Sequence, residues 1–109
     1  MAIPHATPGQ AIDVRPLGHR LAQERTVALF KSRDLEVIRV VLRAGNSLPP
    51  HQVPGEIIIQ CLEGKIDVTA GGVSHLLGEG HLLYLEGNVR HGVAALENAS
   101  FLVTIALCG

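Results

Sequence analysis

Gly45-Asn46-Ser47-Leu48-Pro49-Pro50-His51-Gln52-Val53-Pro54-Gly55-Glu56-Ile57-Ile58-Ile59-Gln60-Cys61-Leu62-Glu63-Gly64 is the stretch that decides how this chain is read. A glycine opens it, and Pro50 biases the backbone before it towards an extended form leading into His51. Pro54-Gly55 then offers a type II turn. A β-branched run, Ile57-Ile58-Ile59, continues through Cys61 to a tight turn at Glu63-Gly64. The physical content is an extended segment, a turn, and a buried strand over residues 56–62.

Towards the C-terminus the pattern repeats in shorter units. Residues 65–70 alternate, with Ile66, Val68 and Ala70 against Lys65, Asp67 and Thr69, the period-two signature of a half-buried strand. Gly71-Gly72 is a two-residue hairpin signal of the primed type. Residues 73–77 return, 78–80 turn, and 81–85 form another short strand. Glu86-Gly87-Asn88 turns again with two residues that tolerate positive φ, and residues 89–95 and 100–107 close the chain as strands.

Towards the N-terminus, residues 35–43 are the first strong strand, β-rich at Val37, Ile38, Val40, Val41 and Leu42, with Arg39 and Arg43 expected to face outward. Residues 26–31 are a strand candidate, followed by the polar turn Ser32-Arg33-Asp34. Residues 19–24 read as a short helical turn without a convincing cap. Residues 11–17 alternate loosely, with Pro16 suited to an edge strand or a strand end. Residues 1–10, with Pro4 and Pro8, read as an irregular arm. Short strands with glycine at most turns, and no convincing helix, predict an all-β sandwich or barrel.

The 109 residues suffice for one domain with a single core. Apolar residues make up 47% and charged residues 17%, which excludes a disordered, solvating chain. A formal net charge of -1 gives no electrostatic reason for a nucleic-acid or membrane partner, and 3% aromatic residues offer no stacking platform for bases. Two cysteines, Cys61 and Cys108, suggest neither a disulfide framework nor a zinc pattern. With no leader-like N-terminus and no apolar run near the roughly 18 residues of a membrane span, a cytoplasmic location is expected. No glycine-rich phosphate loop and no G-x-S-x-G elbow occurs.

The quoted stretch resembles the first sequence motif of the cupin superfamily, G-x5-H-x-H-x3-E-x6-G. Gly45, His51 and Gly64 are in register, while Val53 stands at the second histidine position and Ile57 at the glutamate position. The second motif, G-x5-P-x-G-x2-H-x3-N, is matched by Gly80 and His91, with Glu86, Asn88 and Ala95 replacing the proline, the second glycine and the asparagine. The resemblance spans about residues 35–107. It implies a cupin-like barrel (double-stranded β-helix, or jelly roll) of two antiparallel sheets, in the manner of small single-domain RmlC-like cupins. The expected organisation is one structural domain, with residues 1–34 as an N-terminal arm with edge strands and residues 35–109 as the cupin barrel.

In metal-binding cupins three histidines and one glutamate point into the barrel mouth. Carried over position by position, His51 and His91 remain, an incomplete ligand set. Two imidazoles hold a divalent ion weakly, whereas a stable catalytic site needs three protein ligands and an open position. Glu56, one residue from the glutamate position, could complete the set only if a bulge at Gly55 turned it inward. Gln60 shares the outward parity of Glu56, and Cys61 is expected to behave as a small core hydrophobe. His5, His19, His75 and His81 read as solvated surface residues. Val53, Ile57 and Ile59 make the mouth largely apolar, with Tyr84 at its rim and Arg90 outside by parity.

Three functions compete. The first is a cupin that binds a small, mostly apolar ligand near His51, Val53, Ile57, Ile59, Tyr84 and His91, with one histidine available as acid or base. The second is a metal-dependent dioxygenase or isomerase using His51, His91 and Glu56. The third is an interaction module without a small ligand. The cofactor is then a weakly held divalent metal or none, and whether the protein is an enzyme stays open. A homodimer is expected under all three, because apolar edge strands in a short chain need cover.

Overall fold

The computed structural model describes residues 6–107; His5 and Cys108 lie outside the described residues. Among the described residues nine strands follow one another: β1 (Val27–Lys31), β2 (Leu35–Leu42), β3 (Ser47–His51), β4 (Ile57–Glu63), β5 (Lys65–Ala70), β6 (Val73–Gly78), β7 (Leu82–Leu85), β8 (His91–Ala95) and β9 (Ala99–Ala106). They form two antiparallel sheets, one ordered β1-β2-β9-β4-β7 and the other β3-β8-β5-β6. The expectation of an all-β, cupin-like jelly roll holds.

The alternation read in the sequence sets the core. On β4, Ile57, Ile59 and Cys61 are buried while Ile58 is exposed; on β5, Ile66, Val68 and Ala70 are buried. These side chains meet Val40, Leu42, Leu77, Leu85, Val93 and the fully buried Phe101 between the sheets. The β5–β6 hairpin turns on Gly71 and Gly72, with φ of 56° and 81°, the pair of left-handed residues a type I′ turn demands.

Several local expectations need correction. Residues 11–17 form no strand. The short uncapped helical turn expected over residues 19–24, by contrast, is present as a six-residue 3-10 turn, Gly18–Gln23, anchored by buried Leu21. Gly55 is not among the positive-φ glycines, so Pro54-Gly55 is not a type II turn. Its glycine is needed for space: a Cβ there would sit 1.7 Å from the Ala106 carbonyl oxygen.

Arg39 does not reach solvent. Its side chain leaves the outer face of β2, as parity requires, but the N-terminal segment closes over it, leaving the residue 7% exposed. There its Nη2 donates to the Arg15 carbonyl at 2.8 Å, to Ser100 Oγ at 3.1 Å and to Glu63 Oε2 at 3.4 Å. Glu63 reaches this face because the β4–β9 register shifts between Cys61 and Glu63, pairing Cys61 with Phe101 but Glu63 with Ser100. The extra residue rotates the glutamate out of the core. Its carboxylate accepts the Leu17 N–H at 2.9 Å, the Gly18 N–H at 3.0 Å and the Ser100 hydroxyl. Burial alone would raise the Glu63 pKa, but these hydrogen bonds and the Arg39 charge outweigh it and hold the carboxyl below its ordinary value.

Candidate functional site

His51 and His91 are opposite one another in the β3–β8 ladder. Directly paired residues of antiparallel strands point to the same face. The two rings accordingly meet with centroids 4.7 Å apart and planes inclined by 50°. His91 is buried, at 4% exposure, whereas His51 is exposed. The His91 Nδ1–H donates to the Val89 carbonyl at 3.0 Å. Because a carbonyl oxygen only accepts, this bond puts the proton on Nδ1 and leaves Nε2 unprotonated in the neutral ring.

Beneath the two rings lies a cavity of about 250 Å³. β2 contributes Ile38 and Val40, β4 contributes Ile57 and Ile59, and β9 contributes Val103 and Ile105. Strand register assembles this aliphatic wall: Ile57 pairs with Ile105, and Val103 pairs with both Ile59 and Ile38. Leu48, Gly92 and Val93 complete it from the opposite sheet. Besides the two histidines, Thr26 is the one lining residue with a polar side chain, and its Oγ1 already accepts the Val41 N–H at 2.9 Å. A larger groove of about 500 Å³, between residues 6–10 and Phe30, is a surface feature whose one charged lining residue is Lys31.

Of the residues singled out in the sequence, His51, Ile57, Ile59 and His91 converge on the cavity. Val53 packs against the edge of the core beside Pro54 and Gly55 rather than lining it. Tyr84 belongs to the outer face, half exposed, with its hydroxyl donating to Glu56 Oε1 at 3.2 Å. Glu56 is exposed as well, because Ile57 takes the inward position and the backbone at Gly55 makes no compensating rotation. Arg90 is exposed. Thr26 was missed; it lies 25 residues ahead of His51 in the chain, and no local pattern connects the two.

The metal implied by the cupin resemblance does not fit this donor set. His51 and His91 supply two imidazoles, aliphatic side chains occupy the other two ligand positions, and Glu56 is engaged outside. Among the described residues no group of three or more His, Cys, Asp or Glu side chains could hold an ion.

A family model described as "Cupin domain" matches residues 38–105, more than half of the chain. The chain belongs to the cupin family. Solved cupins share its architecture. An RmlC-like cupin from Desulfovibrio desulfuricans is 26% identical, covering 90% of this chain and 97% of that one with a TM-score of 0.75. A conserved protein of unknown function from Streptococcus pyogenes is 19% identical over 100% of this chain and 96% of that one, with a TM-score of 0.77. Salicylate 1,2-dioxygenase from Pseudoaminobacter salicylatoxidans, 18% identical, aligns with 73% of this cupin but only 25% of its own chain, with a TM-score of 0.67. The fold is thus shared by enzymes and by proteins without an assigned role. No curated protein matches this cupin in sequence. No helix among its described residues is long and apolar enough to cross a membrane.

Proposed function

We propose that this cupin binds a small, mostly apolar molecule in the cavity beneath His51 and His91. The observation that carries the reading is the wall: aliphatic side chains from five strands of both sheets, interrupted by two adjacent imidazoles. Apolar walls with a few convergent polar groups are the usual make-up of a small-molecule site. The test is a titration with toluene and 4-methylphenol, followed through the methyl resonances of Ile57, Ile59 and Val103. Selective shifts that disappear in Val103→Phe, which fills the cavity, are expected. Absence of any methyl shift with either compound would refute the proposal.

The homodimer belongs to the same proposal. Ile58, Leu82 and Tyr84 leave apolar surface on the outer face at the free edge strand β7, and a second copy would cover it. A monomer mass by light scattering at micromolar concentration would exclude it.

A further inference from the structure

The occupant must satisfy a short list of polar groups, and that list selects its chemistry. His91 is the buried member of the histidine pair, and its tautomer is set by the Val89 carbonyl. In the neutral ring Nε2 is therefore a lone-pair acceptor without a hydrogen-bond partner among the described residues. Among the described residues Arg39 Nε is the one sealed side-chain nitrogen or oxygen without a partner, so Nε2 of His91, although its residue is buried, keeps accessible surface and can meet a donor from an occupant of the cavity it lines. Resting on the binding reading above, we infer that the preferred ligand is a compact apolar alcohol or phenol whose single hydroxyl donates to His91 Nε2.

The rest of the lining disfavours the neighbouring chemical classes. Among the described residues no Asp, Glu, Lys or Arg lines the cavity, so an ammonium ion finds no carboxylate there and a phosphate no ammonium or guanidinium. A carboxylate or an ether presents an acceptor to the acceptor at His91 and must turn to the His51 ring or the Thr26 hydroxyl for a donor. A sugar or polyol brings several hydroxyls, while His51, His91 and the remaining capacity of the Thr26 hydroxyl are the polar partners among the described lining residues; the remainder would be buried unpaired. Size narrows the choice further. An apolar cavity of about 150 Å³ accommodates benzene. The roughly 250 Å³ here leaves room for one ring, or an equivalent branched chain, with a short substituent.

The experiment is a matched series on the wild-type protein at about pH 8, where imidazoles as a class are neutral: toluene, 4-methylanisole, 4-methylbenzoate and 4-methylphenol. These keep the apolar body and change only the head. Affinities come from methyl-resonance titration, and the imidazole nitrogens are followed in ¹H–¹⁵N long-range spectra. 4-Methylphenol is expected to bind at least tenfold more tightly than the other three and to shift Nε2 of His91 selectively. In His91→Leu that advantage over toluene should vanish while toluene still binds.

Equal binding of 4-methylphenol, 4-methylanisole and toluene would overturn the hydroxyl inference and leave the cavity reading intact. Tighter binding of the carboxylate would overturn it too, because the site would then present a donor. No binding by any of the four overturns both. Should His91→Leu fail to fold, the wild-type series and the nitrogen shifts still decide.

Discussion

Replacing Glu63 by leucine removes the one acceptor on which the N-terminal segment, β2 and β9 converge. Its side chain is 12% exposed and that of Arg39 is 8% exposed, so the pair is shielded from the solvent that makes surface ion pairs nearly worthless. In Glu63→Leu the guanidinium keeps Arg15 O and Ser100 Oγ but loses its counter-ion, and the amides of Leu17 and Gly18 lose their acceptor. Breaking a buried pair from one side costs about 3–5 kcal/mol. At roughly 4–8 °C per kcal/mol for a domain of this size, Tm should fall by on the order of 20 °C. Urea unfolding followed by far-UV circular dichroism measures the loss directly. The triple variant Arg39→Met, Glu63→Leu, Ser100→Ala removes the stranded charge as well, and is expected to be more stable than the single variant.

The pH dependence supplies an independent readout. The Glu63 carboxyl is held below its ordinary 4.5, so its contribution is complete above that value and disappears as the pH falls through the folded-state pKa. Wild type should lose stability more steeply than Glu63→Leu below about pH 4.5. A loss under about 1 kcal/mol in the single variant, as for an exposed pair, would refute the reasoning. So would a triple variant no better than the single one.

Other substitutions probe the site and its frame. Gly55→Ala brings a Cβ to 1.7 Å from the Ala106 carbonyl and should cost about 3 kcal/mol or more, read as a lower urea midpoint at unchanged slope. Tyr84→Phe should alter 4-methylphenol affinity by less than about twofold, because its hydroxyl engages Glu56 on the outer face; a larger loss in the titration would return Tyr84 to the pocket. Cys61, fully buried, has its thiol pKa raised by burial. Peptide mapping after iodoacetamide treatment should find it unmodified in native protein and alkylated in urea.

How far the sequence could be read depended on the range of the interaction. Period-two alternation is local, so Ile66, Val68 and Ala70 declared their faces, and so did Ile57 against Glu56. Glycine turns are local too, and the strand series with its two motifs pointed to the fold. Arg39 did not declare itself, because its outward parity was right and its exposure was not. The cover comes from residues 15–18, a stretch without the apolar periodicity that would announce docking. The shift between Cys61 and Glu63 was equally silent, since nothing in Cys61-Leu62-Glu63 demands an extra residue until β9 is laid beside it. Val53 was assigned to the pocket because it stands at the second histidine position and Tyr84 as a rim residue, yet the loop after β3 leaves Val53 at the core margin and pairing with Ile58 turns Tyr84 outside.

The position of β9 bears on how the molecule is born. The eight-residue strand joins β2 on one side and β4 on the other, and it follows every other strand of its sheet among the described residues. During synthesis every earlier strand of that sheet is already made while its centre is missing, so the β1–β2 and β4–β7 pairs must wait with open backbone edges. Residues 99–106 emerging from the ribosome then supply the backbone pairing that joins the two halves of that sheet. Folding should be late and cooperative, and a nascent chain stalled before residue 99 should be the species that chaperones hold.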